Sequence, residues 1–243
     1  MSYPINLMVV DLCHYDTVLS YDKVKAAGIV GVIYKATEGM GYIDSTYPDE
    51  RTKALKAGLL WGAYHFANNG DVNVQVANFI AYAQIDPASL FVLDWEDNGK
   101  NTMSLGQAQA WIEGVENALG RPGECVLYSG NVIKEKLTAP NAFFNSRRLW
   151  LPQYGSKPVL PTGYDRFWLW QYLGDGAGPE PHTVDGISGD VDCNSYDGSP
   201  EQLADEWASG VFVPPAPAPD QPTITITIDA PPGVTVNVVQ NQS

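Results

Sequence analysis

Eight short runs of apolar, β-forming residues recur along this chain, and segments with helical patterning separate the earlier ones. Strands that alternate with helices indicate parallel β-α-β units that build one sheet. Eight such strands within 243 residues favour closure into a β/α barrel. The helical ring is expected to be incomplete, because less helix lies between the later runs. The predicted strands are Leu7–Leu12, Gly31–Thr37, Leu59–Phe66, Leu90–Glu96, Glu124–Gly130, Leu149–Tyr154, Phe167–Tyr172 and Asp190–Asn194.

Capping residues and glycines mark the helices of this α/β fold. The clearest helix opens with a capping box of Ser104 and Gln107. A last helix is expected to begin at Ser199, with Trp207 on its buried face. A doubly wound open sheet is the alternative fold, but no GxGxxG follows the first strand, which disfavours it. The other predicted helices are Tyr21–Ala27, Pro48–Ala57 and Val72–Gln84.

The composition changes at Val213, where a run of prolines begins. We therefore expect a barrel over residues 1–212, a stiff Pro-rich linker over 213–222 and a short β-hairpin tail over 223–243. The tail has two strictly alternating runs, Thr223–Ile228 and Val234–Val238. A hairpin this short does not bury its apolar face alone. Self-association or docking on another protein is the expected use of the tail.

Composition and charge exclude several classes of function. The formal net charge of -14 disfavours nucleic acid and anionic membranes as partners. No apolar stretch is long enough for membrane insertion, and the first residues lack the basic region of a signal peptide. Three cysteines do not form a disulfide framework, and reduced thiols are favoured over a pairing of Cys13 with Cys193. No cluster has metal-ligand spacing, so neither a metal nor a cofactor is expected.

Asp94 and Glu96 stand two residues apart at the end of an apolar run. Side chains at this spacing leave the same face of a strand, so the two carboxyl groups would project together, about 6.6 Å apart along the backbone. Like charge and partial burial would raise the pKa of one of them. An acid that keeps its proton beside an ionised carboxylate suits glycoside cleavage. A pair of solvated acids in a loop is the alternative interpretation of this motif alone.

Polar and aromatic residues stand at the ends of all eight predicted strands. In a parallel β/α barrel the ends of the strands meet at one mouth, where active sites lie. Convergence of this many polar groups indicates a functional site there. The segments concerned are Asp11, Lys35–Gly39, Tyr64–Phe66, Asp94–Glu96, Tyr128–Ser129, Gln153–Tyr154, Trp170–Tyr172 and Asp192–Asn194.

These segments, in this order and spacing, resemble glycoside hydrolase family 25, the Chalaropsis-type lysozymes or N-acetylmuramidases. The resemblance runs from about Asn6 to Trp207 and rests on Asp11, KATEG at Lys35–Gly39, GAYHF at Gly62–Phe66, LDWE at Leu93–Glu96, WQY at Trp170–Tyr172, and VDGI at Val184–Ile187 leading to VDCN at Val191–Asn194. Two departures are visible. Cys13-His14 replaces the more usual turn after the first aspartate, and Cys193 stands where an apolar residue is common.

The resemblance implies a modified barrel that hydrolyses the β-1,4 bond from N-acetylmuramic acid to N-acetylglucosamine in peptidoglycan. Glu96 would be the proton donor, Asp94 its carboxylate partner, and Asp11 and Asp192 would line the same pocket. Glu96 is expected to hold the proton, since it adjoins Trp95 and the acid cluster. Asp94 would either act as nucleophile or orient the substrate's own acetamide. Acetamide assistance is favoured, with net retention.

Further residues are candidates for binding the glycan strands of peptidoglycan. Tyr64, Tyr128, Trp170 and Gln153 are expected to stack on sugars or bond to them, although core packing is equally expected for Trp170. Lys35 and Glu38 are expected to form an ion pair that supports the site. Trp111, Trp150, Trp168 and Trp207 are interpreted as structural.

The expected biological setting is a phage endolysin, made in the host cytoplasm and released to the wall after a partner opens the inner membrane. Two alternatives remain open at this point. One is a non-catalytic glycan-binding or virion module on a hydrolase fold, which four maintained acids disfavour. The other is a chitinase-type glycosidase, which would show a longer acidic run before Asp94 and Glu96.

Overall fold

Eight strands close into a barrel in this computed structural model, which describes residues 3–174 and 176–209. The predicted barrel of eight strands is thereby confirmed. Two shorter strands pair with each other beside the barrel, and a third short strand forms an antiparallel hairpin with one of the barrel strands. The strands are β1 (Leu7–Leu12), β2 (Thr17–Val18), β3 (Gly31–Glu38), β4 (Tyr42–Ile43), β5 (Leu60–Phe66), β6 (Leu90–Asp94), β7 (Val126–Tyr128), β8 (Leu149–Pro152), β9 (Leu169–Leu173), β10 (Ile187–Ser188) and β11 (Asp192–Ser195).

Neighbours around the barrel run in the order β1-β11-β9-β8-β7-β6-β5-β3, and β3 pairs with β1 to close it. The expectation that all eight strands are parallel is wrong for the last one. β11 runs antiparallel to both β1 and β9. A parallel strand needs a long crossover, usually a helix, whereas the described residues between β9 and β11 contain turns and the two-residue strand β10.

The helices cover the outside of the barrel unevenly, as predicted. Ser104 caps the longest helix, with the expected reciprocal bonds to Gln107. Two short helices between β7 and β8 were not expected. The helices are α1 (Tyr21–Ala26), α2 (Tyr47–Lys56), α3 (Val72–Tyr82), α4 (Leu105–Leu119), α5 (Asn131–Lys136), α6 (Ala142–Asn145) and α7 (Pro200–Ser209), with a 3₁₀ turn at Gly99–Asn101.

Alternation along each strand builds two apolar layers. On β6, Leu90 and Val92 pack in the barrel interior, while Phe91 and Leu93 pack in the layer under the helices. The side-chain period of a strand is two, so each buried strand supplies both layers. The same alternation decides which polar side chains at the upper mouth of the barrel face inward.

Trp207 of α7 fills the lower end of the barrel, in agreement with its predicted burial. Its Nε1 donates to the Trp61 carbonyl at 2.9 Å, and its ring lies against Gly31 and Gly62. A Cβ added at Gly31 would lie 2.7 Å from the ring, so glycine is needed for this close approach. This end therefore serves packing, and the opposite mouth is free for a site.

The Pro-rich linker and the hairpin tail lie outside the described residues, and their predictions stay predictions. Within the described ranges, no helix is long and apolar enough to cross a membrane.

Candidate active site

The mouth formed by the carboxyl ends of the parallel strands holds a cavity of about 160 Å³. We call it the acidic cavity. Four of the predicted site residues reach it as carboxyl groups, and three more as other side chains. It is lined by Asp11, Lys35, Tyr64, Phe66, Asp94, Glu96, Tyr128, Trp150 and Asp192.

Asp94 and Glu96 both line the acidic cavity, although β6 ends at Asp94 and Glu96 follows it outside the strand. Trp95 between them points the other way. It is fully buried, its ring lies 5.8 Å from that of Phe144, and its Nε1 donates to the Met103 carbonyl at 2.8 Å. The two carboxyl groups therefore share one face, as their spacing predicts.

Asp94 is more deeply buried than Glu96. Asp94 is only 7% exposed, whereas Glu96 is half-buried and Trp95 has turned away from it. Burial, followed by the negative charge of Glu96, raises the pKa of Asp94 well above its usual range. The Asp94 Oδ1 is buried and has no hydrogen-bond partner among the described residues. Burial therefore favours the protonated form of Asp94 in the free protein, and the expectation that Glu96 holds the catalytic proton stays a prediction.

Asp11 and Asp192 face each other across the pairing of β1 with β11. Asp192 is the first residue of its antiparallel strand, which brings it to the same mouth as the ends of the parallel strands. Burial and the neighbouring Asp192 raise the pKa of Asp11, against the opposing effect of hydrogen bonds from Asn194 and Gln171. The four acids therefore form two close pairs in one cavity.

Two side-chain amides, those of Gln171 and Asn194, donate hydrogen bonds to Asp11, and neither is predicted as a site residue from the sequence. Gln171 Nε2 donates to the Asp11 oxygens at 3.0 and 3.2 Å and lies 3.3 Å from Asp192 Oδ2. Asn194 Nδ2 donates to Asp11 Oδ2 at 2.7 Å. Both stand on inward-facing strand positions, so strand alternation was the signal that could have found them.

The orientation of each amide is fixed by a further donor. Burial raises the pKa of Tyr128, so its hydroxyl stays protonated and donates to Gln171 Oε1 at 2.8 Å. The Trp150 Nε1, which only donates, binds Asn194 Oδ1 at 2.5 Å. Each amide nitrogen is therefore turned towards Asp11. Trp150, interpreted as structural from the sequence, both lines the cavity and orients this support.

Lys35 brings the only side chain with a positive charge to the described lining of the acidic cavity. Its Nζ donates to Glu38 Oε2 at 2.7 Å, which is the predicted ion pair. The same Nζ lies 4.9 Å from the centre of the Phe66 ring and 5.4 Å from that of Tyr42. Glu38 thus does not line the cavity itself and is connected to it by its ion pair with Lys35.

Trp170 and Gln153 do not reach the acidic cavity. Trp170 is fully buried in the outer apolar layer, because it points away from the interior on the strand where Gln171 points inward. Its Nε1 donates to the Gln153 carbonyl at 2.8 Å. Gln153 lines a neighbouring pocket of about 400 Å³ with Glu96, Tyr128 and Tyr154, which we call the outer pocket.

The histidines and cysteines take no part in the cavity lining. His65 is fully buried between Thr37 and Gln75, and burial lowers its pKa to about 4, so it stays neutral. Cys13, Cys125 and Cys193 are free thiols. In the described part of the chain no group of three or more acid, histidine or cysteine side chains is placed to hold a metal ion.

Comparison with known families decides the relationship of the chain. The model of glycosyl hydrolases family 25 matches residues 10–180. The chain belongs to this family. The match includes Asp11, Asp94 and Glu96, while Asp192 and α7 follow it.

Relatives of this family 25 chain include known muramidases. It is 29% identical over 208 residues to Lysozyme M1 of Streptomyces globisporus, covering 80% of this chain and 69% of that protein. It is 29% identical over 181 residues to the N,O-diacetylmuramidase of Chalaropsis sp, covering 66% of this chain and 85% of that one. The bacterial lysozyme of Streptomyces coelicolor superposes with a TM-score of 0.72 at 29% identity, over 85% of this chain and 98% of that one.

Proposed function

We propose that this chain is a lysozyme that hydrolyses the β-1,4 bond between N-acetylmuramic acid and N-acetylglucosamine in peptidoglycan. The observation that carries the proposal is the convergence of Asp11, Asp94, Glu96 and Asp192 in one cavity at the mouth of a family 25 barrel. Two carboxyl groups with different surroundings supply the acid and the carboxylate that glycoside cleavage needs.

Glu96 is the proton donor to the leaving sugar in this proposal. It lines both the acidic cavity and the outer pocket, so it stands where a bond between sugars in these two spaces would lie. A general acid must lie within hydrogen-bond reach of the oxygen it protonates. The muramic residue would occupy the acidic cavity, and the leaving N-acetylglucosamine the outer pocket.

Asp94 orients the acetamide of the muramic residue. Its buried Oδ1 has no hydrogen-bond partner among the described residues. It is therefore placed to accept a hydrogen bond from the acetamide N–H. This hydrogen bond would favour the ionised form of Asp94. A proton held on Asp94 in the free protein would then move to Glu96, where the reaction uses it. Binding of substrate thereby sets the protonation states that catalysis requires.

Acetamide assistance and attack by Asp94 are the two routes to a retained product, and we favour assistance. A substrate analogue that lacks the N-acetyl carbonyl separates them, since only assistance needs this group. The analogue should be cleaved far more slowly than the natural sugar. Cleavage at an undiminished rate would exclude assistance and leave Asp94 as nucleophile.

Removal of the donor at position 96 tests the activity itself. Glu96→Gln keeps the size of the side chain and loses the acid, so clearing of purified peptidoglycan should fall by about 10² to 10⁴. Glu135→Gln, at an exposed position on α5, is the matched control and should clear at the normal rate. Both variants should unfold at the temperature of the unaltered protein. Retained lysis by Glu96→Gln would contradict the assignment.

We propose a phage endolysin as the biological setting, with the enzyme reaching the wall after a partner opens the inner membrane. Expression in a bacterial host tests this, because lysis should require added permeabilisation of the membrane. Rapid lysis without it would argue against the proposed route.

A further inference from the structure

Three neighbouring rings, those of His14, Tyr15 and Tyr42, stand beside the acidic cavity on the side of β1 and β3. We call them the aromatic ridge. Tyr15 is 85% exposed and Tyr42 is 41% exposed. The ring centre of His14 lies 4.0 Å from that of Tyr15 and 6.1 Å from that of Tyr42. The catalytic steps described above use none of these rings.

Hydrogen bonds hold His14 and Tyr42 of the aromatic ridge in place, and the Tyr15 ring packs against that of His14. Asp44 is fully buried, and its Oδ2 accepts the His14 backbone N–H at 3.0 Å and lies 3.1 Å from His14 Nδ1. The Tyr42 hydroxyl lies 3.1 Å from the same ring nitrogen. Thr46 donates to the other oxygen of Asp44, through its hydroxyl at 2.7 Å. The rings of His14 and Tyr42 are therefore positioned before any ligand arrives.

The aromatic ridge continues the lining of the acidic cavity. Lys35 lines the cavity, and its Nζ lies 5.4 Å from the centre of the Tyr42 ring. The outer pocket opens instead beside β7 and β8. In the order of strands around the barrel, β3 and β8 stand on opposite sides. The cavity therefore lies between the outer pocket and the aromatic ridge.

This arrangement gives a direction to a bound glycan strand. Glu96 borders the outer pocket and protonates the leaving group, so the reducing side of the cleaved bond lies there. The aromatic ridge then stands on the non-reducing side of the muramic residue. In the alternating strand of peptidoglycan, the sugar at that position is N-acetylglucosamine.

We propose that the aromatic ridge binds the N-acetylglucosamine residue on the non-reducing side of the cleaved muramic residue. Tyrosine rings offer flat apolar faces with a polar edge, which suit a sugar ring and its hydroxyl groups. Two acids lie beside the ridge: Asp44 accepts from the His14 backbone N–H, and Asp16 accepts from that of Cys13, whereas Glu38 is paired with Lys35. Like charge disfavours the acidic peptide stems there and favours an uncharged sugar. The inference rests on the proposed muramidase function.

Two synthetic substrates of different length test the inference. The short one is the disaccharide of muramic acid followed by glucosamine, both N-acetylated, and the long one carries an additional N-acetylglucosamine on its non-reducing end. The unaltered protein should have the higher kcat/KM for the long substrate. Tyr15→Ala should lower kcat/KM for the long substrate by about tenfold and leave that for the short one within about twofold.

Conservative replacements and a distant control separate binding from structure. Tyr15→Phe should keep most of the preference for the long substrate, because the ring face remains. Leu55→Ala, at an exposed position on α2, should change neither rate. Equal losses on both substrates in Tyr15→Ala, or no loss on either, would overturn the inference while leaving the muramidase proposal intact. Failure of the unaltered protein to cleave either substrate would contradict the muramidase function and this inference with it.

Discussion

At the scale of single residues, the proposed chemistry depends on a proton shared by two neighbouring carboxyl groups. Asp94 is buried and Glu96 is half-buried, so the cost of ionisation differs between them. Burial raises the pKa of Asp94 in the free protein, and in the proposed mechanism an acetamide N–H bound to Asp94 favours its ionised form while Glu96 carries the proton. Neither carboxyl group performs its role without the other.

The buried position of Asp94 also predicts a conflict between activity and stability. Because its pKa is raised in the folded protein, the stability it contributes is complete below the unfolded value of about 3.8. That contribution is lost as the pH rises through the folded value. Asp94→Asn should therefore remove this loss and be more stable than the unaltered protein at neutral pH.

Chemical denaturation at a series of pH values measures this effect. The free energy of unfolding of Asp94→Asn should fall less between acid and neutral pH than that of the unaltered protein, while its activity drops by about 10² or more. Asp22→Asn, at an exposed position on α1, is the control and should follow the unaltered protein. A steeper fall for Asp94→Asn would contradict the assigned burial.

The chemistry-bearing acids of the site could be predicted from the sequence, whereas much of their support could not. Asp94 and Glu96 can be recognised in the sequence by their i, i+2 spacing at the end of an apolar run. An aromatic ring suits a sugar, which favours Trp170 as a candidate, but in the structure Trp170 packs in the outer layer and its neighbour Gln171 points inward. Which of two neighbouring positions faces a cavity depends on strand register, and register is fixed by the pairing with neighbouring strands.

At the scale of elements, α7 packs closely against the lower end of the barrel. Trp207 occupies the space that side chains at Gly31 and Gly62 would otherwise fill. The sequence predicts that Trp207 is buried, but not where, because its hydrogen-bond partner Trp61 lies 146 residues away along the chain. The direction of β11 was hidden for a similar reason, since its apolar pattern does not depend on the direction in which it runs.

Gly31→Ala tests the fit between α7 and the barrel. The added methyl group would lie 2.7 Å from the Trp207 ring, so the protein should lose about 1 to 3 kcal/mol in its free energy of unfolding. In a Trp207→Phe background the smaller ring leaves room, and the same change should cost less. Gly106→Ala on α4, which meets no neighbouring atom, is the control and should not destabilise. Equal costs in both backgrounds would contradict the proposed contact.

At the scale of the whole molecule, the cavity, its supports and the aromatic ridge all come from residues between Asp11 and Asn194. The division into a barrel over residues 1–212 and an appendage therefore makes a prediction about function. A chain that ends after residue 212 should keep its kcat on soluble oligosaccharides and its unfolding temperature. Loss of either would show that the linker or the tail supports the barrel.

The tail is predicted to act in assembly rather than in catalysis. Light scattering of the full chain and of the shortened chain compares their masses in solution. If the hairpin self-associates, only the full chain should be larger than a monomer.

The most direct test of the account is the identity of the sugar at the reducing end of fragments released from purified peptidoglycan, read by mass spectrometry after reduction. Cleavage by the acidic cavity predicts N-acetylmuramic acid at every new reducing end, and none in a Glu96→Gln digest. New ends that carry N-acetylglucosamine would contradict it.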